Sequence, residues 1–404
     1  MADHFSLLGR SRKRCWRLGG DCSNNQCVHT RRPRYPGKNP RGFHDRYKEL
    51  APDRYASEVA KILASGKTPA GSHRPIMVDE VLGCLRPTAG NVAVDCTLGG
   101  GGHARAILGR VLPGGRLIGL DVDPLERLAT EGRLRAEGFG PEVFVARQGN
   151  FAGLAKALAA EGLLSADVIL ADLGVSSMQL DNPDRGFSHK ESGPLDMRMN
   201  PTRGVTAAEL IARASEAGLA TLLEENADEP YAALIAGLLK ATPPGLPPAH
   251  GPRDSRAPAV LTTGAVDALI REGLAAVYPH LTKAEATRSV QRTFQALRIA
   301  VNDEFAALDA LLRVLPQCLS PCGRVAVLSF HSGEDRRVKK AFQAGYREGV
   351  YSAVAEEVIR ATPEERRANP RASSAKLRWA VAAGSSQKTV PVPELACPGT
   401  GLSV

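Results

Sequence analysis

Asn91-Val-Ala-Val-Asp95-Cys-Thr-Leu-Gly99-Gly-Gly-Gly-His103 is the stretch on which the fold turns. Its first five residues form a short β-branched run, the pattern of a buried strand. Four glycines follow, and Ala104–Val111 beyond them has helical apolar spacing. A strand, a glycine turn and a helix in that order let backbone approach a ligand and aim a helix N-terminus at its negative groups. The G-x-G-x-x-G/A fingerprint fits from Gly99 to Ala104. On its own the loop is equally the mark of a structural turn.

The alternation continues on both sides. Val78–Leu85 reads as a helix, Arg116–Asp121 as a second strand and Pro124–Glu137 as a helix. Glu142–Ala146 reads as a third strand, Phe151–Gly162 as a helix and Asp167–Leu173 as a fourth strand. Repeated βα units predict an α/β fold with a mostly parallel, doubly wound sheet. Asp121 ends the second strand about 20 residues beyond the glycines, where a carboxylate accepts from ribose hydroxyls. Asp123 stands two residues on as an alternative. Loop and acid together point to an adenosine-containing cofactor, NAD or S-adenosyl-L-methionine.

Past the fourth strand lies Asp172-Leu-Gly-Val-Ser-Ser-Met-Gln179, a polar cluster where doubly wound sheets bind ligands. Arg185-Gly-Phe-Ser188 and Pro194-Leu-Asp-Met-Arg-Met199 follow. Residues 200–300 then read as helical, with Thr242–Thr262 a proline-rich flexible loop or disordered insert among them. Strand patterns return at Arg324–Phe330 and Leu377–Ala382, so the helical block reads as an insertion. The expected organisation is a basic, mostly disordered arm at 1–45, followed by an α/β domain from 46–200 and 293–383. The helical substrate-recognition domain occupies 201–292 with its loop at 242–262, and 384–404 form a flexible tail. A helix is expected over Asp53–Ser65.

Composition narrows the function classes. The 404 residues are 43% hydrophobic and 24% charged, which excludes a wholly disordered or collagen-like chain. No apolar run approaches the ~18–20 residues of a spanning helix, so no membrane is involved. Residues 1–50 hold 12 Lys and Arg against 4 Asp and Glu; the remainder holds 40 against 39. The net charge of +9 is therefore an N-terminal arm on a near-neutral body, a pattern that reads as a nucleic-acid contact or a solvated tail. Eight scattered cysteines make no disulfide framework, and Cys15, Cys22, Cys27 and His29 match no common zinc spacing, so no metal is expected. Met1–Gly20 lacks a secretory apolar core. A reducing, cytoplasmic home is the reading, with an organellar matrix second.

The remaining motif is Ser329-Phe-His-Ser332 with Glu334-Asp-Arg336. No Gly-x-Ser-x-Gly elbow accompanies it, which removes the hydrolase reading. With His73-Arg-Pro-Ile, the glycine loop, the Asp172–Asp181 string and Gly193–Met199, this chain resembles the RsmH (MraW) family of 16S ribosomal RNA cytosine-N4 methyltransferases. Thr293–Ile299, Val301-Asn302 with Glu304, Asn369-Pro-Arg371 and Ser374–Arg378 extend the match across about 73–382 in the family's order. Gly333 stands where the family has Leu, Ser289-Val290-Gln291 where it has Pro-Ala-Thr, and Pro230 where it has Arg.

The resemblance implies a class I, Rossmann-like S-adenosyl-L-methionine-dependent fold. It also implies N4-methylation of a decoding-centre cytidine in 16S rRNA within the small ribosomal subunit, with no obligate protein partner. The implied cofactor contacts are Gly101, Gly102, His103, Asp121, Phe151, Asp172 and Gln179. Asp172, with Ser176 or Ser177, is expected to accept from the reacting amino group. Arg185, Arg198, Arg298 and Arg336 are expected at phosphates, His331 beside the RNA, and Phe187, Phe294 or Phe330 under the target base. The other reading of those arginines is ion pairing with Asp181, Asp196, Asp303 and Asp335. The competing reading is a non-catalytic ribosome-assembly factor that keeps the fold. A dehydrogenase leaves the strings after the fourth strand unexplained, and a DNA amino-methyltransferase would need a Pro-Pro-aromatic string that is missing.

Overall fold

Strands covered on both faces need near-continuous apolar sequence, and the runs flanking the glycine turn supply it. In the computed structural model, which describes residues 75–241 and 261–384, α1 (Val78–Leu85) leads into β1 (Val92–Asp95), α2 (Gly102–Val111) and β2 (Arg116–Asp121). Then come α3 (Pro124–Ala136), β3 (Phe144–Gln148), a 3-10 turn at Phe151–Gly153, α4 (Leu154–Ala159), β4 (Ala166–Asp172) and α5 (Ser177–Asp181). Five helices follow: α6 (Ala207–Arg213), α7 (Glu216–Ala227), α8 (Ala232–Ala241), α9 (Thr263–Val277) and α10 (Lys283–Asn302). The chain returns through α11 (Glu304–Cys318), β5 (Leu319–Ser329), α12 (Ser332–Arg347), β6 (Tyr351–Val354), α13 (Pro363–Ala368), a 3-10 turn at Pro370–Ser374 and β7 (Lys376–Ala382). The arm, the helix expected at 53–65, residues 242–260 of the proline-rich stretch and the tail beyond 384 lie outside the described residues.

The seven strands form one sheet in the order β3-β2-β1-β4-β5-β7-β6. β1 to β5 pair in parallel, and β7 alone runs against its neighbours. This is the expected α/β, mostly parallel, doubly wound sheet. One face buries Val81 and Leu85 of α1 with Ile107 and Leu108 of α2. The other buries Leu154 and Leu158 of α4, Leu308, Leu311 and Leu315 of α11, and Phe342 of α12. The strand order reverses between β1 and β4, which opens a crevice at their C-terminal ends.

The helical block lies between β4 and β5 and has its own core of Leu219, Leu223, Ile235, Val266, Ile270, Val290 and Leu297. Phe187, Leu195 and Met197 join that core, as does Phe294 of α10. The expected boundaries at 200/201 and 292/293 are therefore corrected. The block takes in 187–199, and its last helix runs unbroken from Lys283 to Asn302. Two further differences are local. Gly153 interrupts the helix expected from Phe151, so a 3-10 turn precedes α4. The third strand sits later than expected, at Phe144–Gln148 in register with β2.

Candidate active site

A cavity of about 400 Å³ opens over the C-terminal ends of β1, β2, β3 and β4, with Phe330 after β5 on its wall. Gly99 to His103, Asp121, Phe151, Asp172, Ser176, Ser177 and Gln179 all line it. The expected cofactor residues, separated by as many as 78 positions, are thus brought together by the parallel sheet.

The glycine loop is held from beneath. Asp121 Oδ2 accepts from the Gly99 N–H at 2.7 Å, and its Oδ1 accepts from the Asp123 N–H at 2.8 Å. Thr130 donates to the Gly99 carbonyl. Gly101 is left-handed (φ 74°), and a Cβ there would lie 2.6 Å from Thr130 Cγ2. A Cβ on Gly102 would lie 2.5 Å from Pro75 Cγ. Gly101 and Gly102 therefore serve backbone conformation and close packing, while Gly100 meets nothing within 4 Å of its Cβ position and faces open space. Burial pushes the Asp121 carboxyl up to about 6 despite its two N–H partners.

His103 opens α2 and is buried. Its Nε2 lies 2.9 Å from the Ile76 carbonyl, an acceptor, so that nitrogen carries the proton and Nδ1 faces Asp172 Oδ2 at 3.5 Å. Burial lowers the His103 pKa and keeps the ring neutral. Asp172 ends β4, its N–H donates to Thr97 Oγ1 at 2.7 Å, and its Oδ1 has no hydrogen-bond partner among the described residues. Burial, then the charge of Glu334, raises its carboxyl to about 7.

Ser176 caps α5. Its hydroxyl accepts from the Gln179 N–H at 3.1 Å and donates to Glu126, whose own carboxyl burial raises to about 7. The expectation that Ser176 accepts from a substrate amino group is corrected, because that hydroxyl is already engaged. Ser177 keeps its place on the cavity wall. Gln179 completes the capping box through Oε1 and donates through Nε2 to Asp123 Oδ2 at 2.9 Å. Asp123 is fully buried, caps α3 and takes the Arg185 guanidinium at 2.8 Å, so it is not the alternative ribose acid. Phe151 lies half-buried at the β3 end of the cavity.

The expected RNA contacts divide. Arg185 is spent on Asp123 and on the carbonyls of Arg198 and Met199. Arg198 forks onto Asp196, and Arg298 onto Glu304 rather than Asp303. Phe187 and Phe294 are core residues of the helical block. These five are corrected: an arginine forked onto a carboxylate and a ring inside a core are not free for phosphate or base. Arg336 remains 59% exposed, 3.9 Å from Asp228, while Asp335 pairs with Arg378. Phe330 alone of the three aromatics lines the cavity.

His331 caps α12 and lies 3.1 Å from Glu334 Oε1. Burial works to raise the Glu334 carboxyl, but the hydrogen bond and charge of His331, with Arg298, outweigh it and hold it low. Glu304, His331 and Glu334 bring ligand-type atoms within 4.8 Å of one another; a metal site from His331 and its acidic neighbours was not expected, and Glu304 was not among the residues considered for it. Arg298 and the Phe330 N–H already engage the two carboxylates. The reading also missed Glu126, Asp123 in its structural role, and Asn302, which bonds Met199 N–H and Met197 carbonyl. Asp123 followed by Pro124 is a helix-start signature and could have been recognised. Glu126 had no signal.

Residues 70–383 match the model of the MraW methylase family. The chain is 45% identical over 361 residues to ribosomal RNA small subunit methyltransferase H 2 of Alkaliphilus metalliredigens, covering 89% of this chain and 99% of that protein. It is 44% identical over 365 residues to ribosomal RNA small subunit methyltransferase H 1 of Lachnoclostridium phytofermentans, covering 90% and 96%. Among solved structures, an rRNA methylase from Streptococcus thermophilus aligns with TM-score 0.34 at 8% identity, over 76% of this chain and 93% of that one. The cavity fits the family's cofactor: glycine backbone on one side, an acid at the end of β2, an aromatic ring after β3 and an unpartnered carboxylate oxygen at the end of β4. The chain belongs to the MraW methylase family, a class I methyltransferase fold with S-adenosyl-L-methionine as its cofactor.

Proposed function

We propose that this protein methylates the exocyclic N4 of a cytidine in small-subunit (16S) ribosomal RNA, at the decoding centre. Two relatives at about 45% identity are named for the small-subunit RNA. The observation that carries the chemistry is Asp172 on the cavity wall, with a buried Oδ1 that no hydrogen-bond partner among the described residues satisfies. When bound, S-adenosyl-L-methionine would supply an electrophilic methyl group: a nucleophile bonds to its carbon in line as the carbon–sulfur bond breaks, and the thioether S-adenosylhomocysteine leaves. The protein then has to hold a weak nucleophile in place and accept its hydrogens.

The N4 lone pair of cytosine is delocalised into the ring. An acceptor on the amino hydrogens favours the pyramidal form and stabilises the charge that develops. Ionised Asp172 is that acceptor, with backbone carbonyls of the Leu173–Val175 turn and Ser177 beside it. His103, neutral and protonated on Nε2, presents its Nδ1 lone pair to Asp172 Oδ2. It receives a hydrogen bond from Asp172 when that carboxyl carries a proton, and loses it when Asp172 ionises, because two acceptors then face each other. Gly101, Gly102, His103, Asp121 and Phe151 would hold the cofactor, with Gln179 acting through Asp123 and the Ser176 cap.

The target base must leave its stack to enter so deep a cavity. Phe330 is the platform for it, since base–aromatic stacking contributes roughly 1–3 kcal/mol. Exposed Arg336 on α12 and His331 at its N-cap are the remaining candidates for the RNA. The reaction belongs to the compartment that assembles small subunits, here the cytoplasm. A non-catalytic assembly factor would have no use for an unpartnered carboxylate oxygen over a cofactor cavity.

The test is base replacement. Small-subunit RNA lacking the modification accepts one labelled methyl group, and the same RNA with the target cytidine changed to uridine accepts none. Equal labelling of both would overturn the assignment to cytidine N4.

A further inference from the structure

Asn369-Pro-Arg371 and Ser374 form a motif that the proposed chemistry leaves unused. They fold as the 3-10 turn Pro370–Ser374, and Asn369, Arg371 and Ser374 all reach the cavity wall. The turn is firmly mounted. Asn369 Oδ1 accepts from the Arg371 N–H at 3.2 Å, and Ala372 and Ala375 are buried in the same core as Met77. Glu365 of α13, just before the turn, accepts from the Met77 N–H at 2.8 Å. The turn is therefore tied to the segment at Met77, next to Pro75 and Ile76 of the cavity wall.

Three arginines line this cavity: Arg133, Arg298 and Arg371. Arg133 bonds the Gly100 carbonyl and Thr130, and Arg298 forks onto Glu304. Arg371 differs. Its Nη2 is anchored 2.6 Å from Asp181 Oδ1 at the end of α5, while Nη1 is buried without a hydrogen-bond partner among the described residues. A guanidinium presents its donors in a planar fork, so one anchored nitrogen fixes the direction of the other. A cationic donor left without an acceptor is costly, and an anion at the cavity wall would satisfy it once a small shift of the side chain uncovers Nη1.

We propose that Arg371 is an anion-binding residue of this cavity, with Nη1 donating to an anionic oxygen of the bound ligand. Two sources carry such an oxygen: the α-carboxylate of the cofactor and a phosphate beside the target base. The first rests on the family's cofactor and the second on the proposed RNA substrate.

Calorimetric binding separates them. S-adenosylhomocysteine, 5′-methylthioadenosine (which lacks the carboxylate) and a small-subunit RNA fragment are titrated into wild type, Arg371→Gln and Asp181→Asn, with thermal midpoints recorded. If the carboxylate is the ligand, Arg371→Gln weakens S-adenosylhomocysteine about 10- to 100-fold and leaves methylthioadenosine unchanged. If phosphate is the ligand, both nucleosides bind as before, RNA binding weakens, and its salt slope falls by about one. Unchanged binding of all three ligands overturns the proposal. So does an equal loss from Asp181→Asn that includes methylthioadenosine, because Arg371 would then be only a strut. Failure of the methyltransferase reading itself would appear in the wild type, which would bind none of the three, and Arg371 would fall with it.

Discussion

Asp172 lines the cavity with one carboxylate oxygen beside His103 and the other buried without a hydrogen-bond partner among the described residues. Replacing it with Ala should lower kcat by at least 100-fold while cofactor affinity changes far less, because the loss falls on the reacting amino group. Full turnover of Asp172→Ala at saturating cofactor would remove it from the mechanism. Its carboxyl sits at about 7, so turnover should rise with pH through that value as the acceptor ionises. A flat profile between pH 6 and 8 would contradict this. The same shift bears on stability. The native carboxyl holds its proton to a higher pH than the unfolded one, so its contribution is fully present below about pH 4 and is lost as pH rises through 7. Asp95 and Asp121 at about 6, and Glu126 at about 7, act in the same direction. Urea denaturation of the ligand-free protein should show stability falling from pH 5 to 8. Asp172→Asn should be more stable than wild type at pH 8 by about 1–2 kcal/mol.

At the scale of elements, the sequence pattern was clearest where a strand is buried on both faces. Arg116–Asp121 and Val78–Leu85 lie where their apolar spacing placed them. Tyr351–Val354 was missed because a four-residue edge strand carries too little pattern to stand out. β5 starts five residues early, at Leu319, ahead of a turn with Cys322 at φ 61° and Gly323. Two departures from the family pattern find local reasons. Ser289 donates to the buried Glu229 at 2.9 Å, beside Pro230. Gly333 leaves room for Phe305, whose Cζ would lie 2.7 Å from a Cβ there, and Phe305 carries the Arg337 guanidinium 3.9 Å over its ring. Gly333→Leu should therefore cost about 1–3 kcal/mol in this chain by overpacking. Pairing it with Phe305→Ala should recover part of that loss in the same denaturation assay, and strict additivity would show that the two side chains do not compete.

For the whole molecule, the candidate site was legible because a parallel sheet delivers every strand's C-terminal end to one crevice. The loop after β1, Asp121 and Asp172 could each be read from its place at a strand end. What could not be read was pairing across the chain. Arg185 finds Asp123 from 62 positions away, and nothing in either neighbourhood announces it. Four of the basic and aromatic side chains expected at RNA are tied up by such pairings or by the core of the helical block, and the Arg298–Glu304 fork removes a fifth. RNA affinity must then draw on exposed cations, and the charge arithmetic puts most of the excess in the arm. Deleting residues 1–45 should weaken binding of small-subunit RNA and flatten its salt dependence. Unchanged affinity and slope would reject that role.

The most direct measurement of the central claim is the identity of the product. The purified protein is incubated with labelled S-adenosyl-L-methionine and unmodified small ribosomal subunits, beside naked rRNA and DNA, and the digested nucleosides are separated by mass spectrometry. N4-methylcytidine at a single decoding-centre position is the predicted result. Label in any other nucleoside, or no transfer by a protein shown to bind the cofactor, would contradict it.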